Sequence, residues 1–139
     1  MTRYDKLRFI RHIAEAATED WRERRICLPS VTIALAAEGT DWGQAPVYTE
    51  QNCLFPRRHD GIHGYATTSA AVRSHSNYLA TWRAPEQHNP NWMDLGKEYY
   101  ILAVQCLQGA EYPYSPEKNF ETKIVELIEE YGLTVYDEG

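Results

Sequence analysis

Apolar residues recur at helical spacing from the start of the chain. Leu7, Ile10, Ile13, Ala14, Ala17 and Trp21 fall on one face and predict a helix from about Tyr4 to Trp21. The next segment, "LPSVTIALAAEGTDWG", has almost no polar face. Ser30 is a natural N-cap, the residues after it are apolar nearly all round, and such a helix is expected to be buried. Gly39 is placed to end it, as glycine does where a left-handed residue is needed. Periodicity then disappears from Gln44 to Gly64, where short β-prone pieces alternate with Pro and Gly. A small loop-and-hairpin lobe is expected there.

Helical spacing returns near Thr67 or Thr68 and runs to about Trp82. "RAPEQHNPNW" reads as a loop, and "WMDLGKEYYILAVQCLQG" as a fourth helix closing at Gly109. Ser115 as cap and Pro116 at the first helical position open a fifth. It would bury Phe120, Ile124, Leu127, Ile128 and Tyr131 and stop at Gly132. The expected class is mainly α (α+β): about five helices with a small irregular β-type lobe after the second. A buried helix that emerges beside an irregular lobe forms one wall of a cleft. Glu38 stands at that exit.

Composition narrows the partners. With 139 residues the chain suits a single domain, residues 1–139, with a real core. A net charge of −6 argues against a nucleic-acid surface. The one basic run, Arg22 to Arg25, is interrupted by Glu23 and reads as a solvated helix end. Ten tyrosines and four tryptophans will mostly be core, yet their excess suits stacking on a flat ligand. The N-terminus lacks an apolar h-region, so no signal peptide is expected, and no segment suits a membrane span. Cys27, Cys53 and Cys106 are odd in number and lack metal-ligand spacing, which predicts free buried thiols. His59 and His63 are four apart, but no third ligand lies nearby. No metal, no cofactor and a monomer are expected.

Glu38 carries the candidate chemistry. Cleaving a glycosidic bond requires an acid to protonate the leaving oxygen, a task for a carboxyl whose pKa an apolar setting raises. Glu38 follows "TIALAA", so desolvation would act in that direction. A plain surface acid would be disfavoured beside the negative end of a helix dipole.

Four blocks extend this reading. "FIRHIAEAATEDWRERRICLPSVTIALAA", "NCLF" at Asn52–Phe55, "YATTSAAVRSHSNYL" at Tyr65–Leu79 and "LQGAEYPYSPEKNFETKIVELIEEYGLTVYD" occur in this order. Together they resemble family 73 glycoside hydrolases, the β-N-acetylglucosaminidases of bacterial autolysins, flagellar-rod hydrolases and phage lysins. The resemblance covers most of the chain. It implies a lysozyme-like fold and hydrolysis of the β-1,4 bond between N-acetylglucosamine and N-acetylmuramic acid in peptidoglycan. The glycan strand would be the partner, reached after release or export.

By that resemblance Glu38 is the general acid, and a second carboxylate belongs in the lobe. Asp60, within "RRHDGIHG", is the candidate for it, with Glu50 behind. Asp60 reads equally as an Asp-Gly turn residue. Tyr112 matches the family's active-site tyrosine, while Trp42 and Phe55 are candidate saccharide platforms. Asn52 reads as a hydrogen-bonder that fixes the lobe. One departure stands out: the family acid lies three residues before the tryptophan, and Glu38 lies four before Trp42. A helix broken at Gly39 would restore the acid's aim; Asp41 is the fallback. Inverting hydrolysis, a route through the substrate's acetamido group, lytic transglycosylation and a degenerate binding module without catalysis all remain open.

Overall fold

The first apolar stripe becomes α1 (Arg3–Arg24) in a computed structural model that describes residues 1–83, 98–108 and 113–138. Thr2 and Asp5 start it with reciprocal side-chain-to-backbone hydrogen bonds of 3.1 Å each. Arg25, at φ 50°, ends it. Ile10, Ile13, Ala14, Ala17 and Trp21 are buried as the spacing predicts, whereas Leu7 is 37% exposed.

The segment without a polar face becomes α2 (Pro29–Thr40), and it is central. It packs on α1, on the later helices α5 (Tyr100–Gln108) and α6 (Phe120–Glu130), and on the closing 3₁₀ turn Leu133–Asp137. Val31, Ile33, Ala34, Ala36 and Ala37 are fully buried. Burial lifts the Cys27 thiol just before this helix to about 12, which leaves it inert. Cys53 is buried as well, Cys106 is half-buried, and all three thiols are free.

Both ends of α2 differ from expectation. Pro29 takes the first helical position, so Ser30 lies inside the helix and does not cap it. The cap comes from the far end of the chain. Asp137 accepts the Ser30 backbone N–H at 2.8 Å and its hydroxyl at 2.6 Å. An acceptor supplied over such a separation leaves no local pattern in the sequence. Asp137→Ala strands both donors and is expected to cost about 1–2 kcal/mol. Urea unfolding reads that as a lower midpoint at unchanged slope; an unmoved midpoint would deny the cap any weight.

At the other end Gly39 does not stop the helix. It lies within the last turn, and Asp41 (φ 49°) is the left-handed C-cap. Gly39 is required by space: a Cβ there would meet Pro56 Cδ at 2.8 Å. The irregular segment rests on that bare backbone.

That segment, residues 44–66, holds one helical turn, α3 (Pro46–Thr49), and otherwise coil. No strand occurs among the described residues, so the expected hairpin is not formed. The reason lies in Cys53, Leu54 and Phe55, which are buried consecutively at 1–3% exposure. A pleated strand would turn every second one outward. Asn52, at φ 55°, reverses the chain, and Tyr65 N–H donates to its carbonyl at 3.3 Å. Asn52 thus fixes the lobe through its backbone.

Thr67 caps α4 (Thr68–Tyr78), which continues as a π turn, Leu79–Arg83. In α5 Tyr100, Ala103, Val104 and Leu107 face inward. The loop expected before it, its expected start at Trp92 and its expected stop at Gly109 lie outside the described residues. The last helix starts at Phe120, later than Pro116, because Ser115 is already engaged. Gln108 accepts the Ser115 N–H at 3.0 Å and donates to its carbonyl at 2.8 Å. Phe120, Ile124 and Ile128 fill the core, and Gly132 (φ 59°) follows. The architecture is mainly α and lysozyme-like. No helix among the described residues is long and apolar enough to cross a membrane.

Candidate functional site

The last turn of α2 brings Glu38 out of the core without exposing it. Its side chain is only 6% exposed. Ala37 precedes it, Gly39 follows against Pro56, and the carboxyl meets the guanidinium of Arg57. Arg57 Nε donates to Oε1 at 2.8 Å and its NH2 to Oε2 at 2.5 Å. Such a two-pronged contact is the strongest ordinary pairing of these groups. Arg57 is 38% exposed, and the Glu38 carboxylate raises its pKa further above an already high value. Sequence reasoning passed over Arg57, although a basic pair directly after "NCLFP" was a visible signal.

Glu38 also lines a cleft of about 360 Å³. The walls are the end of α2, the turn at Asp41 and Trp42, Lys6 of α1, and Lys123, Glu126 and Tyr131 on and beside α6. This cleft lies between helices, whereas the sequence suggested one between helix and lobe. Arg57, the lobe's contribution, instead sits on the carboxyl itself.

Trp42 stands in the cleft at φ 59°, a strained setting for a bulky residue. The turn is held firmly: Trp42 N–H donates to Ala37 O at 2.9 Å and Gly43 N–H to Thr40 Oγ1 at 2.9 Å. The indole meets Tyr131 edge-on at 5.0 Å between centroids, and Lys6 Nζ lies 5.2 Å from its ring centre. Trp42 is half-buried. Tyr131, expected only as core, shares the cleft.

Asp41 lines the same cleft, but it is exposed and serves as the C-cap. The other candidates are dispersed. Glu50 is exposed at the end of α3. Asp60 pairs with Arg58 at 2.9 and 2.6 Å and does not line the Glu38 cleft. Burial works to raise its pKa, but the Arg58 hydrogen bonds and charge outweigh that and hold it below the usual range. Phe55 is 3% exposed and stacked on His75 at 3.9 Å, so it offers a sugar no face. Tyr112 lies outside the described residues. His59 Nε2 meets Pro113 O at 2.8 Å and His63 Nε2 meets Asp60 O at 3.0 Å. Among the described residues no three His, Cys, Asp or Glu gather as metal ligands.

By sequence the chain matches no protein-family model and no curated protein. By structure it matches the catalytic domain of the autolysin Auto of Listeria monocytogenes, with TM-score 0.79 and 21% identity. That match covers 99% of this chain and 90% of the other. The chain has the fold of an autolysin catalytic domain. An N-acetylmuramoyl-L-alanine amidase from Staphylococcus aureus matches too, with TM-score 0.81 and 19% identity. It is covered over 45% of its length and covers all of this chain.

The autolysin-type fold here contains one further polar group, buried beneath the lobe. His75 of α4 is fully buried; its Nε2 meets Tyr114 Oη at 2.9 Å, and its Nδ1 has no hydrogen-bond partner among the described residues. Burial, aided by the Arg58 charge, lowers its pKa from 6.5 to about 3. The unfolded chain therefore binds a proton that the folded chain refuses between those values. The resulting stability is complete above 6.5 and drains away as pH falls toward 3. From pH 7 to 5 the loss is roughly 1–2 kcal/mol. Denaturant midpoints at the two pH values should differ less in His75→Phe than in the wild type; an equal difference would exclude His75 as the source.

Proposed function

We propose that the chain hydrolyses the β-1,4 bond between N-acetylglucosamine and N-acetylmuramic acid in bacterial peptidoglycan, as family 73 β-N-acetylglucosaminidases do. The observation that carries this reading is Glu38, its side chain screened from solvent, in the wall of a cleft beside an aromatic pair. The four sequence blocks and the shared autolysin fold support it. Glu38 protonates the leaving oxygen, and Trp42 with Tyr131 forms the apolar floor against which a sugar ring packs. Tyr112 hydrogen-bonds the reacting sugar. Asp60 is held by Arg58, and the nucleophile in this reading is the substrate's own acetamido oxygen, a route that needs no enzyme nucleophile. Incubation with purified sacculi is expected to release reducing ends in proportion to time and protein. A flat trace would contradict hydrolysis.

One observation favours a second reading, a wall-binding module without catalysis: both Glu38 oxygens are occupied by Arg57. That reading predicts saturable binding to sacculi with no new reducing ends.

A further inference from the structure

The outer face of α1 is not a plain polar surface over its first turns. Tyr4, Leu7, Arg8 and Arg11 fall at the i, i+3, i+4 and i+7 positions of one stripe. This stripe points away from Ile10, Ile13, Ala14 and Ala17, which enter the core. A helix face that met only water would be polar throughout, yet Tyr4 is 67% exposed and Leu7 37%. Charge gathers in the same place. Residues 1–11 hold Arg3, Lys6, Arg8 and Arg11 against one acid, Asp5, so a chain of net charge −6 carries +3 there and −9 elsewhere. Asp5 is committed to Thr2 at the helix start. Among the described residues none of these four cations forms a salt bridge, whereas Arg24, Arg57, Arg58, Arg73 and Lys123 all do.

We infer that this face of α1 docks on an anionic phospholipid bilayer, with Arg8 and Arg11 on the headgroup phosphates and Tyr4 and Leu7 inserted between them. Arg3 and Lys6 stand at its edge. Charge complementarity selects an anionic surface, and the exposed apolar side chains select a bilayer over a soluble polyanion. A polyanion would engage the cations and leave Tyr4 and Leu7 in water; an interface takes both. Tyrosine suits headgroup depth, with an apolar ring and a polar tip. The contact is peripheral, made by two turns of one helix. Arg3 lies 4.9 Å from the ring centre of Tyr131 and Lys6 5.2 Å from that of Trp42, so the docking face borders the cleft that Glu38 lines. A docked chain holds that cleft beside the bilayer. The inference goes beyond the hydrolytic reading and does not depend on it.

Sedimentation of the full chain with lipid vesicles tests the docking face. Vesicles containing about a third phosphatidylglycerol should bind about a hundredfold more tightly than vesicles of phosphatidylcholine alone, and added salt should release the chain. Arg8→Gln with Arg11→Gln should weaken binding about twenty-five-fold, or about fivefold for each charge removed. Tyr4→Gln with Leu7→Gln should weaken it about fivefold while leaving every cation in place. All four side chains lie outside the core and glutamine is a good helix former, so thermal melts of both double variants should match the wild type. Equal binding to the two kinds of vesicle, no binding to either, or binding of the wild type that salt does not weaken would overturn the inference. So would undiminished binding in the arginine variant. Undiminished binding in the Tyr4 and Leu7 variant would show a surface that reads anions alone, as for a soluble polyanion, and would overturn the bilayer. The vesicles contain no glycan, so release of reducing ends from sacculi is decided separately.

Discussion

Replacing Glu38 with glutamine is expected to lower the rate of glycan cleavage by about 10²–10⁴-fold, the usual contribution of a positioned general acid. The amide keeps the shape of the carboxyl and can still accept one hydrogen bond from Arg57, but it has no acidic proton to give. Stability should change little, because Arg57 is exposed enough to be hydrated when half its pairing is lost. Glu50→Gln is the control. Glu50 is exposed at the end of α3 and does not line the Glu38 cleft, so activity should remain within a few-fold of wild type. Initial rates of reducing-end release from sacculi, with thermal melts of each variant, make the comparison. A Glu38→Gln chain that cleaves normally removes Glu38 from the mechanism.

The second large effect concerns Gly64. A Cβ at this position would overlap the carbonyl oxygen of Gln51. The obstacle is backbone, so no side chain can swing aside. Gly64→Ala must force apart the two strands of coil that close the lobe, where Tyr65 N–H reaches Asn52 O at 3.3 Å. A loss of about 3 kcal/mol is expected, the upper end for overpacking, with a fall in Tm of about 10 °C. The damage should also reach the site. Tyr65 hydrogen-bonds Ser74 through its hydroxyl, Ser74 accepts from Arg58, and Arg58 adjoins the residue that clamps Glu38. Calorimetry of Gly64→Ala measures the first effect, and the Arg57 Nε–H resonance reports the second. A melt unchanged from wild type would show that the lobe is not closed by this contact.

Gly64 and Gly39 explain what the sequence could convey and what it could not. Periodicity locates the stripes of α1, α4 and α6, since each buries residues at local spacing. A glycine's purpose has no such signature. Gly39 reads as a helix terminator, yet its role is to admit Pro56, seventeen residues later. Ser30 reads as a cap, yet Asp137 caps the helix and Ser30 is the donor. In both cases the deciding partner is distant along the chain. The lobe failed as a hairpin for a different reason. Its β-prone residues are buried in a row, where a strand would alternate them.

The site was legible to the same extent. Glu38 and Trp42 are close in sequence, and the structure brings them to one cleft. Phe55 and Asp60 were assigned by residue type and block position, and tertiary contacts claimed them instead: His75 stacks on the ring and Arg58 holds the carboxylate. Arg57 could be recognised only once α2 and the lobe were seen together. A charge that neutralises a buried acid is a property of the fold.

The most direct test is the chemistry of the products. Sacculi digested by the wild-type chain and analysed by mass spectrometry are expected to yield muropeptides with N-acetylglucosamine at the reducing end and with peptide stems still attached to muramic acid; Glu38→Gln should yield none. Free stems with intact glycan would mean that the amide bond is cut, and anhydro-sugar ends would mean a lyase. Either result, or undigested wall, contradicts the assignment of Glu38 as the acid of a glucosaminidase.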